Sequence, residues 1–169
     1  DLGRVLPNEN YLKYVTSEDV RSADFSLMTS SRTGSPWLIG QPFFFGGGIT
    51  VLEQYNACHP VRDLLRFSSE AIDAGLPSDY VLNFLKSEFM FPSPSVGTFE
   101  VLPFLKILDV LENIAFRFIE NGYLKREGYQ SKSVRFLLER LHSFLLTVHL
   151  ESVDLLNNPD IFGYQIIYS

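Results

Sequence analysis

Few side chains in this sequence are spaced for chemistry, and each group is soon bounded. Glu139-Arg140-Leu141-His142 sets a carboxylate and an imidazole three residues apart, one helix face, as a di-iron bundle site requires. Such a centre takes two of these pairs and two further Glu residues. His59 and His149 have no acidic residue three positions earlier, so the pair reads as a solvent-side Glu/His pair and no metal ion is expected. His142 and His149 are seven apart and share a face, but two imidazoles do not make a ligand set. Cys58 and His59 are neighbours whose side chains diverge, which reads as a small buried residue followed by a capping residue before Pro60. Gly-x-Ser-x-Gly, His-Glu-x-x-His and Gly-Lys-Ser/Thr do not occur. Gly46-Gly47-Gly48 is left as the most informative stretch. Consecutive glycines open backbone N–H groups to an anion or a sugar hydroxyl, or else make a bend between two core strands.

The elements that must position these residues follow from hydrophobic period and punctuation. Short strands are expected at Arg4 to Leu6 and Asp24 to Met28, with Thr29 to Pro36 as a loop. Phe43-Phe44-Phe45 and Ile49-Thr50-Val51-Leu52 have strand composition on either side of the glycines. Pro60 to Ala74 reads as a helix stopped by Gly75, and Asp79 to about Phe89 as a second helix capped by Ser78. Two long amphipathic helices are expected at Pro103 to Asn121 and Lys132 to Glu151, packed antiparallel so as to bury Leu108, Leu111, Ile114, Leu138, Leu141 and Leu145. The tail Ile161 to Tyr168 reads as a strand closing on the sheet. Together these predict an α+β fold, a small mixed or antiparallel sheet with a mainly helical C-terminal half that includes an antiparallel helix pair.

The run Phe43 to Leu52, followed by a helix and then Asp79-Tyr80-Val81-Leu82-Asn83, resembles the later half of GT-A-type glycosyltransferases. In that family an aromatic-rich strand ending in Gly-Gly contacts the sugar or acceptor, and an acidic residue opening the next helix serves catalysis or acceptor binding. The resemblance covers about residues 43–84. It implies Gly46, Gly47 and Gly48 as substrate-binding positions, Asp79 as the catalytic carboxylate, and a nucleotide sugar or sugar acceptor as partner. The family's nucleotide-binding half, with its βαβ pattern, is not in this sequence, so the resemblance implies a fragment of a longer protein. The alternative reading is a non-catalytic protein-protein interaction or assembly domain with a protein partner, and a third is some other enzyme or small-molecule binder. A deep cleft lined by Gly46 to Gly48 with Asp79 at its mouth favours sugar chemistry, whereas a flat Phe-rich exposed face favours assembly.

Composition sets the outer limits. The 169 residues suit one globular domain, and a 46% hydrophobic content with 15 Phe supplies ample core. A net charge of -6 with scattered basic residues argues against a nucleic-acid backbone as partner. Lys125-Arg126 and Lys132, Arg135 and Arg140 read as loop and helix solvent faces. The single cysteine allows no intrachain disulfide, which suits the cytoplasm or another reducing compartment, and no cofactor is implied. The most apolar stretch, Phe136 to Leu150, is interrupted by Glu139, Arg140, His142 and His149, so no membrane span is expected. The chain opens on Asp1 without an initiator Met or an apolar signal stretch, and a processed or internal start is expected.

Overall fold

The computed structural model describes residues 35–121 and 123–163. The expected strands at Arg4 to Leu6 and Asp24 to Met28, and the tail beyond Gly163, lie outside the described residues. The described chain is α+β, with short strands on a helical body: β1 (Leu38–Gly40), β2 (Phe43–Phe44), α1 (Val51–Cys58), α2 (Val61–Asp73), α3 (Ser78–Lys86), β3 (Phe89–Met90), β4 (Gly97–Thr98), α4 (Val101–Glu120), α5 (Ser133–Ser152) and β5 (Phe162–Gly163). One sheet has the order β4-β1-β5, with β1 antiparallel to β4 and parallel to β5, and β2 pairs antiparallel with β3 as a second sheet. No described helix is long and apolar enough to cross a membrane.

The largest departure from the sequence reading is α1. Val51 and Leu52 do not resume a strand after the glycines; they open a helix. The reason is local. Thr50 caps it, its Oγ1 accepting from the Glu53 N–H while the Glu53 carboxylate accepts from the Thr50 N–H at 2.9 Å. This reciprocal box outweighs the β-branched composition of residues 49–51. Ser78 is likewise not a cap: Pro77 holds that position and Ser78 is the first helical residue. That helix ends at Lys86 rather than near Phe89, because Phe89 and Met90 pair with Phe44 and Phe43. The strand at Leu38–Gly40 falls in a stretch without a strand assignment from sequence.

Gly75 does stop α2, at φ +99, a backbone state that favours glycine. Its N–H donates to the Ile72 carbonyl and that of Leu76 to the Ala71 carbonyl, the paired bonds of a Schellman motif. Helix α4 begins two residues ahead of Pro103, which fits within the first turn where a missing N–H costs nothing.

Helices α4 and α5 pack antiparallel. Phe104 near the start of α4 meets His142 well along α5, with ring centroids 5.6 Å apart. Phe118 near the end of α4 meets Tyr123, whose hydroxyl lies 2.7 Å from the Ser133 hydroxyl at the start of α5. Of the six residues expected to fill this pair, Leu111, Ile114 and Leu141 are buried, while Leu108, Leu138 and Leu145 are half-buried. The connection is pinned to α2 and to the end of α1. Asn121 Nδ2 donates to Glu70 at 2.7 Å, Arg126 grips buried Asp63 through two bonds of 2.8 and 3.2 Å, and Gln130 Nε2 donates to the Cys58 carbonyl at 3.0 Å.

Helix α5 is the axis of the molecule. Beyond Leu137, Leu141, Leu146 and Leu150, it buries Arg140, His142, Ser143 and Thr147. Arg140, read from sequence as solvent-facing, is therefore engaged inside the fold, while Arg126 stays part-exposed and binds Asp63. The Arg140 guanidinium donates to Gln54 Oε1 at 2.6 Å and to the Phe136 carbonyl at 2.8 Å, and lies 5.2 Å from the centre of the Tyr55 ring. Burying a charge is tolerable only with such partners.

Candidate functional site

Gly46, Gly47 and Gly48 form an exposed turn in which all three have positive φ, +75, +60 and +74. Ile49 N–H donates back to the Gly46 carbonyl at 3.1 Å, and a Cβ added at any of the three would meet nothing within 4 Å. Their backbone conformation, rather than crowding, accounts for the residue type. The turn abuts the C-terminal end of α3, since Phe45 N–H donates to the Glu88 carbonyl and Val51 N–H to that of Ser87. Asp79 is exposed in the first turn of the same helix, so it and the glycines sit at opposite ends, about 12 Å apart along the axis at 1.5 Å per residue. The groove between α4 and α5 is lined by neither the glycines nor Asp79.

A groove lies elsewhere. An open groove of about 620 Å³ lies between α4, α5 and the 93–96 turn. Leu108, Leu111 and Ala115 of α4 and Leu138 of α5 give it apolar walls, and Glu112, Arg135, Glu139 and His142 give it charge and hydrogen-bonding capacity. The Glu139/His142 pair noted in the sequence is thus brought onto one groove wall, but its expected exposure is wrong: His142 is only 5% exposed. Burial holds its imidazole down to about 4, so the ring is neutral at physiological pH. Its Nε2 is buried without a hydrogen-bond partner. Glu139 Oε1 accepts the Ser93 N–H at 3.2 Å, holding the turn in which Ser93 adopts φ +49.

Cys58 is exposed, against the buried position expected for it, because it ends α1 on the side away from the core. His59, expected to cap the helix that follows Pro60, instead closes the C-terminus of α1, while Pro60 takes the N-cap of α2; its buried ring stacks on Phe136 with centroids 4.5 Å apart and its Nδ1 meets Gln130 Oε1 at 3.0 Å. Burial lowers its pKa. Burial also pushes the Tyr55 phenol up to about 12, with Asp63 adding to the shift, so it stays protonated. Among the described residues no three His, Cys, Asp or Glu side chains converge as metal ligands.

The outer side of α4 was missed from sequence. Leu102 is 72% exposed and Phe116 57%, and Val101, Leu105 and Ile119 are exposed with them. The signal was available: these residues lie off the Ile107, Leu111, Ile114, Phe118 stripe that enters the core. No protein-family model, no curated protein and no solved structure matches this chain.

Proposed function

We propose that this domain is a non-catalytic assembly module that pairs with a second copy of itself through the outer side of α4. One observation carries the reading: Leu102, Leu105, Asp109, Glu112, Phe116 and Ile119 are all exposed and follow the alternating three- and four-residue spacing of a coiled-coil seam. The order is symmetric, two apolar positions, two acids, two apolar positions. Laid antiparallel across a two-fold axis, Leu102 meets Ile119 of the other copy and Leu105 meets its Phe116, so the surface is self-complementary as an isologous interface demands. The acids fall at the axis, where Asp109 faces Glu112 and like charges oppose pairing.

Sedimentation equilibrium over a range of protein concentrations tests this. A monomer–dimer equilibrium is expected, abolished by Phe116→Asp and tightened about tenfold or more by the double change Asp109→Asn and Glu112→Gln, which removes the like-charge repulsion. A chain that stays monomeric throughout, or a dimer indifferent to Phe116→Asp, rejects it.

The glycosyltransferase-like reading stands second, on the exposed backbone of Gly46 to Gly48. The separation of Asp79 from that turn weighs against a joint site. Calorimetric titration with nucleotide sugars decides: saturable binding lost in Asp79→Asn supports it, and no binding removes it.

A further inference from the structure

We propose that residues 124–132, between α4 and α5, form an ionically latched strap that lifts off α1 and α2 while the helices stay folded. Its fastenings to the body are polar and few. Arg126 holds Asp63 of α2 through bonds of 2.8 and 3.2 Å. Gln130 holds the end of α1, donating to the Cys58 carbonyl at 3.0 Å and meeting His59 Nδ1 at 3.0 Å. Among the described residues, no backbone hydrogen bond joins residues 124–127 to a helix or a strand. Apolar anchorage is thin as well: Leu124 and Tyr129 are exposed, and Tyr129 leans on Phe136 with ring centroids 5.0 Å apart. Low burial and few backbone bonds are what let a segment open at less cost than global unfolding. The ends of the strap are already held together, because the Tyr123 hydroxyl lies 2.7 Å from that of Ser133. A compact loop closed at its base can therefore move without pulling α4 from α5.

The latch is built so that breaking it strands no charge. The side chain of Arg126 is 28% exposed and that of Asp63 only 6%, so in the closed state the arginine is the cover of the carboxylate. Removing one partner of a pair sealed in the interior leaves the other buried and unpaired, at a large cost. Here the same movement that takes Arg126 away brings water to Asp63. Asp63 also stands in the first turn of α2, where the helix dipole favours its charge. Tyr55 adds to the balance. Its hydroxyl is buried without a hydrogen-bond partner and lies within electrostatic reach of Asp63, Tyr123 and Arg126. Water entering beside Asp63 gives that hydroxyl the bond that the closed state denies it. The inference is independent of pairing through α4.

The test is native-state cleavage of the full chain by trypsin, whose rate follows the population of the locally opened chain. Of the cuts within residues 35–163, the first should fall after Lys125, Arg126 or Lys132. Its rate should stay nearly flat in urea below the unfolding transition, because lifting the strap exposes little surface. Arg126→Gln should raise cutting after Lys125 and Lys132 at least about threefold, as loss of a half-exposed ion pair would. Asp63→Asn should do the same, and it keeps the test readable if the unpaired Asp63 carboxylate unfolds Arg126→Gln. In both variants the urea dependence should remain flat, which separates a freed strap from a fold weakened throughout. A first cut elsewhere in residues 35–163, a rate that climbs with urea as steeply as global unfolding, or cutting indifferent to both substitutions overturns the proposal.

Discussion

Helices α4 and α5 are the same length and lie side by side, yet they invert each other's rule. Helix α5 hides polar groups: Arg140, His142, Ser143 and Thr147 are buried among its leucines. Helix α4 exposes apolar ones: Val101, Leu102, Leu105, Phe116 and Ile119 face outward. The cause is position. Helix α5 is packed by α4, by α2 and by β3, so even its polar positions meet protein, and all of them but His142 find a bond there. Ser143 Oγ accepts the Phe91 N–H at 2.7 Å, and Thr147 donates back to the Ser143 carbonyl at 2.9 Å. Helix α4 touches the body along one stripe only, and its remaining circumference is free to carry another task. The lesson is that apolar content marks a surface to be covered, while the number of neighbours decides whether the same chain covers it.

The sharpest break would be between a leucine on each helix. Leu141→Ala should cost about 2–5 kcal/mol in urea titration, the loss expected when a fully buried leucine is emptied, whereas Leu102→Ala should cost under about 0.5 kcal/mol. Equal costs would erase the contrast. Acid should act through α5 next. The His142 pKa is about 4 folded and near 6.5 unfolded, so between these values the unfolded chain binds the extra proton and stability falls as pH falls. The slope from this one group is at most about 1.4 kcal/mol per pH unit. His142→Gln should flatten it, leaving a remainder from His59, which burial shifts the same way. A slope unchanged by the substitution would mean that His142 is accessible to solvent. The polar interior can also be tested from outside α5: Gln54→Ala removes the Arg140 partner and should cost about 1–3 kcal/mol, while Gln54→Glu should cost less because it keeps an acceptor. A small effect belongs to a solvent-facing helix start. Asp79→Asn should cost only about 0.3–1 kcal/mol through the lost helix-dipole interaction, and a larger loss would mean an unseen partner for that carboxylate.

What was legible in the sequence divides along the same line. The α+β class, the long helix pair, its antiparallel sense and the stop at Gly75 all follow from period and punctuation, which are local signals. Helix α1 was hidden because Ile49, Thr50 and Val51 carry strand composition, and only the Thr50/Glu53 box reveals the turn of helix. The state of Arg140 and His142 was hidden for a different reason. Their burial comes from Tyr55, Gln54 and Phe104, residues far away in sequence, and no window along α5 contains them. The Glu139/His142 spacing was visible, but the groove it lines needed α4 and the 93–96 turn to be set against it.

The pairing of β1 with β5 has a consequence for the order in which the molecule can come into being. Ile39 aligns with Phe162, and almost all the described chain lies between them. During synthesis the helices from Val51 to Ser152 are delivered before Phe162 exists, so the nascent chain can collapse on α5 while β1 still lacks its parallel neighbour. Trp37, the single tryptophan, adjoins β1 and is fully buried, edge-on to Phe99 and beside His149. Its fluorescence therefore times the moment at which β1 settles against Phe99 and His149.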